Sequence, residues 1–166
     1  ANRDFERMGT TCTALVLGPH GATMGHVGDS RCYRVRGDRI DQLTFDHSLQ
    51  WELLRQGKMK PEDIMLFEPR NVITRSLGPE PRVAVDTMTV RGRQDDVYVL
   101  CSDGLTTMIS DDELASILAR SEDLDTAARS LVRAANDRGG RDNITVVLFR
   151  LEDTDATGSQ AGPAEG

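Results

Sequence analysis

The chain has 166 residues, 38 % hydrophobic and 28 % charged, with a formal net charge of −7, which suits one soluble domain with a real core. No apolar run is long enough to span a bilayer, no signal peptide is visible and no long basic block occurs. These features argue against a membrane span, a secretory leader, and nucleic acid or an anionic membrane as the main partner.

Residues 1–7 read as the tail of a helix, since no capping signal precedes Asn2. Residues 12–17 and 22–27 are β-prone runs joined through Gly18-Pro19-His20-Gly21, a hairpin by composition. Gly28-Asp29-Ser30 is a tight turn into a third strand, 32–35, and Arg36-Gly37-Asp38 turns into a fourth, 39–44. The four together read as an antiparallel meander. Asp46 has N-cap chemistry for a helix whose apolar face is Leu49, Leu53 and Leu54, with Trp51 on another side. Residues 56–72 are irregular and polar, a mobile surface segment in which Met59 and Met65 read as adaptable packing. Residues 71–78 return the chain to the body, and 83–90 alternate as a half-buried strand. After the strand that leads to Leu100, residues 105–108 form a helical turn. Ser110 and Glu113 make a capping box for a helix to about Arg120 with Leu114, Ile117 and Leu118 inward. A second helix, 124–136, puts Ala127, Ala128, Leu131, Val132 and Ala135 on one face. A last strand ends near Leu151, and 153–166 lack any core-forming residue, as a tail or linker would.

Three cysteines, Cys12, Cys32 and Cys101, show no CxxC spacing and read as small buried hydrophobes in a reducing cytosol. The scattered His20, His26 and His47 form no zinc pattern.

Two stretches carry the chemistry. Val97-Tyr98-Val99-Leu100-Cys101-Ser102-Asp103-Gly104 is a strand that ends in a carboxylate, and Asp142-Asn143-Ile144-Thr145-Val146-Val147 is a carboxylate that opens a strand. Paired antiparallel, the two strands set Asp103 beside Asp142 at one sheet edge. Like charges there repel unless a proton or cation lies between them, and a hard divalent cation suits such oxygens.

Gly9-Thr10-Thr11, Val27-Gly28-Asp29-Ser30-Arg31, Leu43-Thr44-Phe45-Asp46-His47-Ser48, Ile73-Thr74-Arg75-Ser76-Leu77-Gly78, Ser102-Asp103-Gly104-Leu105 and Arg141-Asp142-Asn143-Ile144-Thr145 follow one another in this order. That ordered set resembles the metal-dependent serine/threonine protein phosphatases of type 2C, in their bacterial form, over residues 8–151. The resemblance implies an α+β fold: an antiparallel β-sandwich flanked by helices in α-β-β-α layers. Residues 1–152 would be the C-terminal two-thirds of that domain. It further implies two Mn²⁺ or Mg²⁺ ions holding a hydroxide that attacks a phosphoserine or phosphothreonine ester. By motif, Asp103 and Asp142 match ligands of one ion, and Asp29 matches a residue that, with Asp103, can hold a third. The expected partners are phosphorylated proteins, substrates of a cognate kinase; a cytoplasmic monomer is expected.

The chain departs from the family pattern in lacking an Asp-Gly-x-Gly-Gly turn and the phosphate-gripping arginine that precedes it. A second reading therefore stands beside the enzyme: a non-catalytic, phosphatase-like binding module or complementing fragment. Each site residue has a structural alternative too. Asp103 could form a plain Asp-Gly turn, Asp142 could cap the turn before its strand, and Asp29 could shape its hairpin turn. Ser30 lacks His/Asp partners at a recognisable spacing, Thr10 and Thr11 read as packing and turn residues, Arg75 as an ion-pair partner more than a phosphate grip, and His47 as a local hydrogen-bonding residue near a helix cap.

Overall fold

The computed structural model describes residues 8–18, 21–68 and 72–152. The expectations for 1–7, for Pro19 and His20, for Pro69 and Asn71, for the Met65 side chain and for 153–166 lie outside them.

The β-branched and aromatic runs become strands where turn residues bound them. These are β1 (Cys12–Gly18), β2 (Gly21–Val27), β3 (Arg31–Arg36), β4 (Arg39–Gln42), β5 (Asp86–Val90), β6 (Val97–Cys101) and β7 (Val146–Arg150). Among the described residues they form two antiparallel sheets, ordered β1-β2-β5 and β4-β3-β6-β7. The helices are α1 (Leu49–Arg55), α2 (Asp103–Thr106), α3 (Asp111–Arg120) and α4 (Leu124–Asp137), with a 3-10 turn at Pro61–Leu66. The α+β sandwich expected from sequence is the observed architecture. No helix among the described residues is long and apolar enough to cross a membrane.

The period-two alternation of β3 and β6 serves two cores at once. Cys32, Tyr98 and the half-buried Leu100 face the other sheet and pack with Ala22, Met24 and Val90. Tyr33, Val99 and Cys101 face the opposite way and pack with Leu105, Ile109, Leu114, Ile117, Leu131 and Ala135 of the helical segment. The four-stranded sheet is thus buried on both faces. On the three-stranded sheet Cys12, Ala14, Val16, Thr23, Thr87 and Thr89 are exposed.

Ser110 Oγ accepts from the Glu113 amide at 3.3 Å, as its sequence position predicts, although the Glu113 carboxylate pairs with Arg138. Asp123 caps α4 by accepting from the Thr126 amide at 2.7 Å. Asp96, 1 % exposed, accepts from Arg36 Nε and Nη2, each at 2.6 Å, and from the Arg93 amide at 2.8 Å. That bonding fixes the turn from which β6 departs.

Four expectations are corrected. The meander breaks between β2 and β3, which lie in different sheets: Gly28, at φ +112°, swings the chain across, and a Cβ there would sit 2.3 Å from Thr11 Cγ2. Asp46 is not a helix cap. Ser48 takes that position, because Asp46 is drawn instead to the guanidinium of Arg31. The strand at 83–90 starts only at Asp86, and four of its five residues are exposed, so it is less buried than its alternation predicts. Cys12 is exposed, whereas Cys32 and Cys101 are buried. The α1 face of Leu49, Leu53 and Leu54 is only half-buried, which suits a short helix against the surface.

Candidate metal centre

The β6–β7 register pairs Val97 with Arg150 and Cys101 with Val146, so the end of β6 meets the start of β7. Beyond that last pair the two chains stay clamped. Ser102 N–H donates to the Thr145 carbonyl at 3.1 Å, Ser102 Oγ donates to the Asn143 carbonyl at 2.9 Å, and the Thr145 amide donates to Ser102 Oγ at 3.0 Å. Gly104 touches the same loop. A Cβ built there would lie 2.4 Å from the Asn143 carbonyl oxygen and 3.3 Å from the Asp142 carbonyl carbon. The glycine is required by this approach of two backbones.

Asp103 follows Ser102 as the first residue of α2, and Asp142 precedes Asn143, whose amide donates to Asp142 Oδ1 at 2.7 Å. The structure therefore brings Asp103 and Asp142 together as the sequence predicts. The Asp103 carboxyl is pushed above the usual carboxylate range, first by burial and then by the charge of Asp142. Asp29 joins them from the β2–β3 crossover. It is 9 % exposed, and its carboxyl is pushed up to about 6 by burial first, then by Asp103 and Asp46. Asp29 and Asp103 therefore stand in an acidic field, which Arg31 relieves in part at Asp29. Arg31 Nε and Nη2 are held on Asp46 at 2.9 and 2.7 Å, and its Nη1 reaches Tyr33 Oη at 3.1 Å.

This donor set is all oxygen, from the exposed Asp142 through the half-buried Asp103 to the buried Asp29, and it fits a hard divalent cation better than a soft one. It is a partial shell: among the described residues no three His, Cys, Asp or Glu side chains close on one point.

The crossover that carries Asp29 is tightly built. Thr11 Oγ1 and Ser30 Oγ lie 2.9 Å apart, and Thr13 Oγ1 donates to the Ser30 carbonyl at 2.9 Å. Ser30 is thus held by threonines and serves the turn, and Thr10 bridges to Leu77. His47 has a larger role than its local sequence suggests. Its Nδ1 accepts from the Gly28 amide at 3.0 Å, and its Nε2 lies 3.0 Å from Asp86 Oδ2. Arg75 Nη1 pairs with Asp86 Oδ1 at 2.6 Å, a structural ion pair. The His26 ring lies tilted against that of His47 with centroids 4.8 Å apart, and its pKa is lowered by burial and then by His47. Sequence reasoning missed the Asp46–Arg31 pair and the long-range partners of His47. The one signal for them was the shared motif Leu43-Thr44-Phe45-Asp46-His47-Ser48.

Comparison with known proteins bears on the family and the fold. The family model described as protein phosphatase 2C matches residues 58–144. A serine/threonine phosphatase stp of Listeria innocua is 43 % identical over 145 residues, 87 % of this chain and 58 % of that protein. The protein phosphatase PhpP of Streptococcus pneumoniae is 41 % identical over 152 residues, 92 % of this chain and 62 % of that protein. The chain thus spans about three-fifths of the length of these relatives. Among solved structures, the Mycobacterium tuberculosis serine/threonine phosphatase PstP/Ppp superposes with a TM-score of 0.85 at 34 % identity, over 90 % of this chain and 63 % of that one. A PstP catalytic domain in complex with two manganese ions superposes with a TM-score of 0.79 at 33 % identity, over 89 % of this chain and 61 % of that one.

Proposed function

The chain belongs to the protein phosphatase 2C family, and on that premise we propose that the protein of which it forms part hydrolyses phosphoserine and phosphothreonine esters of other proteins at a Mn²⁺ or Mg²⁺ centre built on Asp103 and Asp142. The observation that carries this reading is the meeting of these two carboxylates at the β6–β7 edge, with Asp103 pushed up by burial and by Asp142. Two such charges are held together at neutral pH more readily by a cation than by anything else the fold places there.

Asp103 and Asp142 would hold one ion, and Asp29 with Asp103 a weaker further one. When bound, such ions supply an activated water and offset the charge of the phosphoryl oxygens. The chain's own residues keep the ligands in place. Ser102 and Gly104 lock the Asp103 turn to the Asp142 loop, and Arg31 holds Asp46 in a bidentate pair beside the centre. The phosphate-gripping arginine and the bridging aspartate that the resemblance leads one to expect would come from the part of the relatives this chain does not span. Substrates would be phosphoproteins supplied by a protein kinase in the cytoplasm, and the enzyme a monomer. The net charge of −7 argues against nucleic acid as the main partner.

One observation favours the second reading, a non-catalytic binding module, for these residues alone: the acidic shell among the described residues is partial. A single experiment separates the two. The full-length protein is assayed on a phosphothreonine peptide with Mn²⁺, with EDTA, and as Asp103→Asn and Asp142→Asn. The enzyme reading expects metal-dependent turnover and a loss in each variant larger than the roughly 10–100-fold that changes outside a ligand shell cost. Equal background rates in all four would leave the binding module standing.

A further inference from the structure

The Asp29 crossover is bonded to a residue far away in sequence, and that residue is bonded to another segment in turn. Gly28 makes two bonds with His47: its amide donates to His47 Nδ1 at 3.0 Å, and its carbonyl accepts from the His47 amide at 2.8 Å. Because Nδ1 accepts, the ring proton sits on Nε2, which lies 3.0 Å from both Asp86 Oδ2 and Arg75 Nη1; of the two only the carboxylate accepts it, and the guanidinium is held there by its own bond to Asp86. Asp86 Oδ1 accepts from Arg75 Nη1 at 2.6 Å, and the same nitrogen reaches the Ala84 carbonyl at 3.3 Å. The His47 carbonyl accepts from the Thr74 amide at 2.8 Å. The His47 side chain is 4 % exposed, whereas Asp86 is 47 % and Arg75 29 % exposed. The inner end of this relay is therefore fixed in the core, and its outer end is open to solvent.

We infer that His47 is a positioning residue for Asp29, and that it makes the Asp29 crossover answer to the docking of residues 72–86; the inference rests on the metal-centre reading above. Gly28 is the residue before Asp29; its φ of +112° and the 2.3 Å that would separate a Cβ from Thr11 Cγ2 reserve the position for glycine, whose freedom leaves the turn to be held by its bonds to His47. Loss of the outer bonds frees the imidazole to rotate, and the Gly28 amide then loses its acceptor.

The test uses the full-length protein and two isosteres of the imidazole. His47→Gln keeps a polar group near the Nε2 position and removes the acceptor for Gly28. His47→Asn keeps an acceptor near the Nδ1 position and removes the bond to Asp86. Asp86→Ala and Arg75→Ala cut the outer end. Amide hydrogen exchange is measured by NMR in EDTA, and Mn²⁺ binding by paramagnetic resonance. In His47→Gln and Asp86→Ala, exchange at the Gly28 and Asp29 amides is expected to accelerate about 5–10-fold, as one lost hydrogen bond implies. His47→Asn, which like Asp86→Ala keeps an acceptor for Gly28 and loses the outer bond, is expected to match Asp86→Ala, and amides of β6 and β7 to keep their rates. Mn²⁺ affinity at the Asp29-dependent site is expected to fall in His47→Gln and Asp86→Ala, with no further fall when Asp29→Asn is already present. Unchanged Gly28 exchange in both variants overturns the inference, as does acceleration spread evenly through both sheets. If His47→Gln does not fold, Asp86→Ala and Arg75→Ala decide the matter. A wild-type protein that binds no Mn²⁺ overturns the metal-centre reading instead, while the exchange measured in EDTA decides the relay on its own.

Discussion

Replacing Asp29 by Asn should make the metal-free protein more stable, and only at the pH where the carboxylate is charged. Asp29 is 9 % exposed, and its carboxyl rises from 3.8 to about 6 under burial, then Asp103, then Asp46. A folded-state pKa above the unfolded one means that the folded chain holds the proton more tightly. The stability this confers is complete below 3.8 and is lost as the pH climbs through about 6. At about 1.4 kcal/mol per pKa unit, the full loss is about 3 kcal/mol, and about half of it falls between pH 5 and pH 7.5. Asn removes the charge and with it the loss. Urea unfolding followed by circular dichroism in EDTA at those two pH values measures it. The wild type is expected to lose about 1.4 kcal/mol more than Asp29→Asn between them, and Mn²⁺ to narrow the gap at pH 7.5 by stabilising the ionised carboxylate. A variant no more stable than wild type at pH 7.5, or a difference that is the same at both pH values, would refute the claim that Asp29 is a charge held at a cost for a cation.

Gly104→Ala places a methyl 2.4 Å from the Asn143 carbonyl oxygen; the loop that carries Asp142 must move, so Mn²⁺ binding in calorimetry should weaken along with a stability loss of about 1–3 kcal/mol. Asp96→Ala removes a buried carboxylate from Arg36, itself 30 % exposed, and from the Arg93 amide; thermal unfolding should show a loss of about 1–3 kcal/mol from the lost hydrogen bonds, and no measurable change would mean that water replaces the carboxylate. The thiols should separate in a colorimetric titration. Cys12 is exposed, whereas burial pushes Cys32 and Cys101 up to about 12, so one thiol should react in the native protein and three in urea.

The part of the site that was legible in the sequence is the part that strand periodicity and turn chemistry encode. The runs at 97–101 and 146–150 alternate or branch as strands do, and their antiparallel pairing alone brings Asp103 to Asp142. The caps at Ser110 and Asp123 lie three residues before the amides they satisfy, so the Ser110 cap could be read locally. What stayed hidden depends on contacts distant in sequence. Asp46 has the chemistry of a cap, yet a bidentate guanidinium from β3, fifteen residues earlier, outcompetes a helix amide for it. Closely spaced strands with short turns suggest one meander, but Gly28 turns the chain into the second sheet, and nothing in its neighbours distinguishes that from a hairpin. His47 finds Gly28, Asp86 and Arg75 only once both sheets are in place. Cys12 reads as a core residue because its strand is β-prone, but it falls on a face of the three-stranded sheet that is exposed.

The central claim is that Asp103 and Asp142 hold a divalent cation. Its most direct test is Mn²⁺ titration of the wild type, Asp103→Asn, Asp142→Asn and the double variant, followed by paramagnetic resonance of the free ion. The account predicts that each single substitution weakens the tightest site, and that the double variant adds little to the worse of the two, since both carboxylates serve one ion. Wild-type Mn²⁺ affinity retained with both carboxylates gone would contradict it.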